Sequence, residues 1–325
     1  MKSIRSINLK MTEVMVFQLV VNIWSCFRRF KVNVLIILFL NVLIVQSTFS
    51  QEVITAPDVL INIEPEIKQE SEETKAILSK AERIKLIETD RNSYTFSRQT
   101  LPTGQTIAEA SFSYINIAKE GPKYSYPELM MRYGLTDDIE FRFGYNFENE
   151  KGSENPESQV VNKFGINAQQ QAFYGFKFQL TEQLPGKERI PDSAFMIIGR
   201  LPIGSEEKHG QIGLGYAFGW ELPNHMNFDG ALKFGTERFQ GDDYFSWSPS
   251  TVLKIPLDAD EKWFTQVEYF GLFSSSFKTN FALNFIDTGL HYFITKNWEI
   301  GTMIGCGIND SARGIFVNFG SGIRY

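Results

Sequence analysis

From Ile139 to Phe147 the chain alternates without a break. Ile139, Phe141, Phe143, Tyr145 and Phe147 fall on one face, and Glu140, Arg142, Gly144 and Asn146 on the other. A period of two is that of a β-strand, whose successive side chains point to opposite sides of a sheet. The pattern recurs over Leu129–Leu135, Tyr174–Leu180, Ile212–Leu222 and Trp298–Ile308. It also closes the chain, where Ile315, Val317, Phe319, Ile323 and Tyr325 alternate with Asn318, Gly320, Gly322 and Arg324. Such strands suit a wall with lipid outside and a polar lumen inside. A secreted β-sandwich is the competing fold, and it would bury each apolar face against a second sheet. Two features favour the barrel. Trp220, Trp247, Trp263 and Trp298 cluster near expected strand ends, as at membrane interfaces. An aromatic also ends the last alternating strand, which fits a strand that must zip onto the first.

Composition agrees. A mean hydropathy of -0.18 is far too polar for a helical membrane protein but not for a barrel, in which only alternate residues meet lipid. Aromatic residues make up 14% of the chain, enough for girdles around an apolar band. A net charge of -6 argues against nucleic acid as a partner.

The N-terminal region reads as three stretches. Residues 1–50 are expected to be a signal peptide with an upstream extension: Arg28, Arg29 and Lys31 precede the apolar run Val32–Val45, and Thr48 and Ser50 are small residues where a signal peptidase reads. The alternative is an uncleaved anchor, for which the run is short. Residues 51–97 read as a periplasmic linker with one helix within Ser71–Ile87, or as a plug entering the barrel. Residues 98–325 read as the barrel, with about twelve strands. Short turns at Thr136–Asp138, Pro223–His225, Asp258–Lys262 and Thr295–Asn297 alternate with longer polar links, including Glu148–Lys163, Glu237–Asp243 and Ser274–Asn280. Thr181–Asp192 is long on the short side.

Glu128 and Arg132 on one expected strand, and Glu140 and Arg142 on the next, are joined by a tight turn and should share one interior wall. Their signs alternate, so the structural reading is a neutralised cluster that offsets the cost of burying charge. The functional reading is the lining of a solute path. Lys177, Glu221, Lys233, Glu268 and His291 are further lumen candidates, as are Asp229, Lys254, Asp287, Glu299 and Arg324. The mixture of signs implies no strong ion selectivity. The glycine-rich inward faces at Gly213–Gly219 and Gly301–Gly307 leave room for a water path or for an inserted N-terminal segment.

Signs of catalysis are missing. His209, His225 and His291 are not spaced as metal ligands. Ser321 does not sit in a nucleophile elbow, and Gly186-Lys187 lacks the rest of a phosphate loop. No cofactor, no metal and no enzymatic activity are expected.

Tyr126-Pro127-Glu128, the run Arg132-Tyr133-Gly134-Leu135-Thr136-Asp137, the segment Glu140–Gly144, and the stretches Leu101–Gly104 and Gly199–Gly204 together carry a resemblance. Over residues 97–325 the chain resembles the transporter-like outer-membrane family labelled "MetA-pathway of phenol degradation". That resemblance implies an outer-membrane barrel that passes small organic compounds.

The expectation is therefore an antiparallel transmembrane β-barrel with a short N-terminal helical segment, located in the bacterial outer membrane after export. Its partners would be outer-membrane lipid, a small-molecule solute, and the barrel-assembly machinery that reads the last strand at Tyr325. Its function would be passive passage of small solutes, aromatic or hydrophobic ones among them. The alternative is a closed barrel serving as a structural or binding surface protein, in which the loop aromatics Phe239, Tyr244 and Phe245 would matter more. A lipid-modifying barrel would need a nucleophile and a histidine at the outer rim, which the sequence does not supply.

Overall fold

The computed structural model describes residues 86–117, 123–149, 171–184, 188–202, 210–239, 242–275 and 280–325. The expected leader, its cleavage site and nearly all of the expected helix lie outside these residues. The described chain forms strands β1 (Thr106–Ile117), β2 (Lys123–Thr136), β3 (Ile139–Asn149), β4 (Gln171–Thr181), β5 (Asp192–Pro202) and β6 (Gln211–Glu221). It continues with β7 (Asn227–Phe239), β8 (Asp242–Pro256), β9 (Trp263–Ser275), β10 (Asn280–Thr295), β11 (Trp298–Gly307) and β12 (Gly314–Arg324).

Each strand pairs antiparallel with its sequence neighbours, and β12 closes on β1 in the register Ile107↔Arg324. Tyr325 N donates to Thr106 O at 2.8 Å and Thr106 N to Tyr325 O at 3.1 Å, so the ladder runs to the last residue and the sheet has no free edge. Both ends of the barrel sequence therefore lie at the end that carries the β2–β3, β6–β7, β8–β9 and β10–β11 turns, here called the turn end; the opposite end is the loop end. The β4–β5 connection is the long exception. It folds back toward β6: Gln183 Nε2 donates to Glu221 O at 3.2 Å, and Trp220 Nε1 to Arg189 O at 3.3 Å.

Alternation decides which side chains meet lipid. Leu129, Met131, Tyr133, Phe143, Tyr174, Phe176 and Leu214 are exposed on the outer wall, while their neighbours Arg132, Arg142 and Lys177 are buried inside. Near the turn end Trp263 packs on Tyr292 with ring centroids 4.4 Å apart, and Trp298 donates to Ser321 Oγ at 3.0 Å. Toward the loop end Trp247 stacks on Phe273 at 4.4 Å, and Tyr124 lies 5.3 Å from Tyr114. These two belts are the aromatic girdles of a membrane barrel.

Two sequence expectations change here. The links over Glu237–Asp243 and Ser274–Asn280 are shorter than expected, since β7 and β8 pair out to Phe239↔Asp242, and β9 and β10 to Ser275↔Asn280. β10 has 16 residues; at about 3.3 Å per residue it outruns an apolar band of roughly 25 Å even when tilted. Beyond that band polar residues stay in the ladder, because the backbone pairs regardless of side chain. Tyr244 is consequently not a loop aromatic: it lies in β8 and is buried, whereas Phe245 beside it is exposed.

The second change concerns the interior. The inward faces of β9, β10, β11 and β12 carry Phe270, Leu272, Phe281, Leu283, Phe285, Met303 and Phe316, which form a buried apolar cluster with Tyr94, Ile115 and Tyr244. Phe270 stacks on Phe285 at 4.8 Å. On these strands the apolar cluster fills the part of the lumen toward the loop end, while Glu268, His291 and Glu299 keep the part nearer the turn end polar.

Candidate functional site in the barrel lumen

Residues 86–102 lie inside the wall, and Thr103 and Gly104 are exposed where the chain reaches β1. Ile87 N donates to Lys296 O at 2.9 Å beside the β10–β11 turn. The chain rises to Tyr94, whose ring stacks on Phe270 of β9 at 4.1 Å. It then descends to Arg98, which pairs with Asp192 at 3.1 Å and with Asp229, both toward the turn end. Gly104 N donates to Gly134 O at 2.8 Å just before β1 begins. The segment is a loop that enters from the turn end, crosses the lumen and returns.

An inserted loop has no ladder, so its buried N–H groups need other acceptors. Three carboxylates and one amide oxygen on the wall supply them. Glu109 accepts from Asp90 N at 2.8 Å and Arg91 N at 2.9 Å. Glu268 accepts from Tyr94 N at 2.8 Å, Thr95 N at 2.6 Å and Ser93 Oγ at 3.0 Å. Glu140 accepts from Leu101 N at 2.9 Å, and Gln179 Oε1 from Thr100 N at 2.8 Å. Space comes from the small inward faces. A Cβ on Gly215 would stand 2.9 Å from Phe96 Cζ, and Gly301 and Gly320 both close on Asn92.

The cluster expected on β2 and β3 forms in part. Arg132 Nε donates to Glu140 Oε1 at 3.0 Å, and Arg142 Nε donates to the same oxygen at 2.6 Å. Arg132 also reaches Glu88 O at 2.7 Å and Ser97 Oγ at 3.0 Å. Arg142 Nη1 lies 2.6 Å from Asp90 Oδ2. Lys177 Nζ joins this group, donating to Ser97 Oγ at 2.7 Å and to Gln99 O. Glu128 stands apart and accepts from Ser111 Oγ on β1.

The remaining candidates are scattered. Lys233 Nζ donates to Tyr94 O at 2.6 Å and sits 3.8 Å above its ring. His291 is held through both ring nitrogens, by Glu299 Oε1 at 2.6 Å and Gln266 Oε1 at 2.9 Å. Gln266 Nε2 in turn donates to Asn92 O at 3.1 Å. Glu221 does not line the wall's interior. It sits at the turn-end rim with its side chain 60% exposed, 3.4 Å from His225 Nδ1, because it is the last residue of β6. Sequence reasoning missed Asp90, Arg91, Asn92, Tyr94, Arg98 and Glu109. The one signal for them was the run of small inward residues on β6 and β11, which left a volume to be filled.

The inserted loop divides the free space. A cavity of about 780 Å³ opens at the turn end, bordered by Glu88, Arg98, Glu182 and Glu221. A chamber of about 140 Å³ lies on the other side, bordered by Arg91, Arg142, Phe173 and Met196. Ser93 borders both. Among the described residues no group of His, Cys, Asp and Glu is placed to hold a metal ion.

No family model matches the chain, and no curated protein matches it. Solved barrels do resemble it. An outer membrane channel from Pseudomonas putida F1 is similar at 11% identity with a TM-score of 0.51, over 73% of this chain and 100% of that one. The NanC porin is similar at 8% identity with a TM-score of 0.48, over 66% of this chain and 98% of that one. At such identity the likeness is one of fold.

Proposed function

We propose that this protein is an outer-membrane channel for small solutes, with the described turns on the periplasmic side and residues 86–102 restricting its lumen. The observation that carries this reading is the pair of cavities on either side of the inserted loop, both bordered by Ser93, inside a closed barrel with a lipid-type outer wall. The barrel carries its own constriction: what passes must pass beside or displace the inserted loop. No step of chemistry is involved. Selectivity comes from the space left beside the inserted loop and from the mixed charges around it. The narrower resemblance to the "MetA-pathway of phenol degradation" family rests on the Arg132–Asp137 stretch and its companions, and it names no solute for this chain.

A closed barrel acting as a binding or structural surface protein is the second reading. The density of buried bonds that hold the loop, above all at Arg132 and Glu268, favours it. Reconstitution of the full chain into planar bilayers and solute-loaded vesicles separates the two. Measurable conductance and solute efflux support the channel; a tight, non-conducting barrel would leave only the second reading.

A further inference from the structure

We infer that the chamber bordered by Arg142 and Phe173 binds a small monocarboxylate carried on a compact apolar body. This deepens the channel reading and takes its biological sense from it, but binding is measurable without passage.

Size sets the first limit. The chamber measures about 140 Å³, and an apolar protein cavity of about 150 Å³ takes one benzene ring. Shape sets the second. Met130, Met196, Ile198 and Phe173 form apolar borders. Phe173 packs close onto β3, where a Cβ on Gly144 would stand 2.0 Å from its Cζ. A soft pocket lined by two methionines and by the rings of Tyr94, Phe96, Phe173 and Phe234 suits a ring or a branched chain.

Charge decides the rest. The guanidinium groups of Arg91 and Arg142 border the chamber, with the carboxylate of Asp90 beside them. Asp90 is itself engaged, by Arg142 Nη1 at 2.6 Å and by Ser97 N at 2.8 Å. Two buried donors remain open: Arg142 Nη2 and Arg91 Nε have no hydrogen-bond acceptor among the described residues. Buried guanidinium groups without acceptors are costly, and a carboxylate supplies two oxygens of the right sign. The Arg91 guanidinium lies 5.3 Å from the Phe173 ring centroid, so the cationic and apolar surfaces converge on one guest. The two open donors match the two oxygens of one carboxylate, and the apolar borders take the body that carries it.

Calorimetry on the full chain in detergent tests this with benzoate, benzyl alcohol and benzylammonium. Benzoate is expected to bind at least about tenfold more tightly than benzyl alcohol, and benzylammonium not at all. Arg142→Gln is expected to weaken benzoate about tenfold or more. Because Arg142 also holds Glu140 and Asp90, Ile198→Trp is the companion variant: it fills the chamber, leaves the ion pairs alone and is expected to abolish binding. Absence of benzoate binding, equal binding of benzyl alcohol, or binding unchanged in Ile198→Trp would each overturn the assignment. Bilayer conductance recorded on the same preparation keeps the two claims separate. A conducting barrel that ignores benzoate loses only the site, and a benzoate-binding barrel that does not conduct loses only the channel.

Discussion

Asn92 Oδ1 lies 2.2 Å from the place where a Cβ on Gly320 would stand, so the inserted loop rests directly on the backbone of β12. Gly301 on the neighbouring strand approaches the same side chain from beside it, with 2.7 Å between its built Cβ and Asn92 Nδ2. Two missing side chains on the wall make the seat for one residue of the loop.

That seat is testable by crowding it. Gly320→Leu is expected to lift Asn92 off the wall and expose Arg91 and Arg98, which are buried in the native barrel. Limited trypsin digestion of the folded protein reads the change: the native chain should resist cleavage after these arginines and the variant should be cut. Equal resistance in both would mean that the loop does not depend on this seat.

Glu268 gathers two successive backbone amides, Tyr94 N and Thr95 N. Glu268→Gln keeps the shape but removes the charge and one acceptor oxygen. Lost bonds of this kind weaken a buried site by about 1–3 kcal/mol. Amide exchange at Tyr94 and Thr95 is therefore expected to speed up roughly tenfold or more, with exchange in β9 itself unchanged. Unaltered protection at these two amides would remove Glu268 from the role assigned to it.

Arg132 is almost fully buried and faces Glu140, Glu109 and Asp90 at once. Removing it leaves those carboxylates without their main counter-charge. Arg132→Met is expected to cost about 3–5 kcal/mol in urea unfolding from lipid vesicles. Adding Glu140→Leu should recover part of that loss, since the two sites share one network. A single variant as stable as the native protein would show that the cluster is screened by water rather than buried.

The outer wall gives the opposite contrast. Phe143 faces outward on β3, 46% exposed, and lipid is its expected neighbour. Phe143→Arg should destabilise the barrel in vesicles by about 2–4 kcal/mol. Glu221→Arg at the exposed rim should stay within about 0.5 kcal/mol. A tolerated arginine at position 143 would place water, not lipid, against that face.

The wall was legible in the sequence because one physical rule governs it: lipid on one side and lumen on the other impose a period of two, and Ile139–Phe147 shows it without a gap. Closure was legible for the same reason, in the alternation that runs to Tyr325. What fills the lumen was not. The side chains of Ser93, Tyr94, Thr95 and Phe96 follow no regular period, since they meet Glu268, Ser248, Ser250 and Gly215 in turn rather than a repeating neighbour. The inward phenylalanines of β9 and β10 were hidden too: Phe270 and Phe285 occupy the same parity as Glu268 and Asp287, so alternation placed them inside without revealing that they pack on one another. Glu221 has inward parity but stands one residue too far along its strand, and parity says nothing about where a strand ends.

Single-channel conductance of the full chain against a chain lacking residues 51–98, each first shown to be folded by its heat-dependent gel migration, tests the central claim most directly. If the loop seated at Asn92 and Tyr94 restricts the lumen, the full chain should conduct weakly and the shortened one several-fold more. Equal conductance in the two, or none in either, would contradict it.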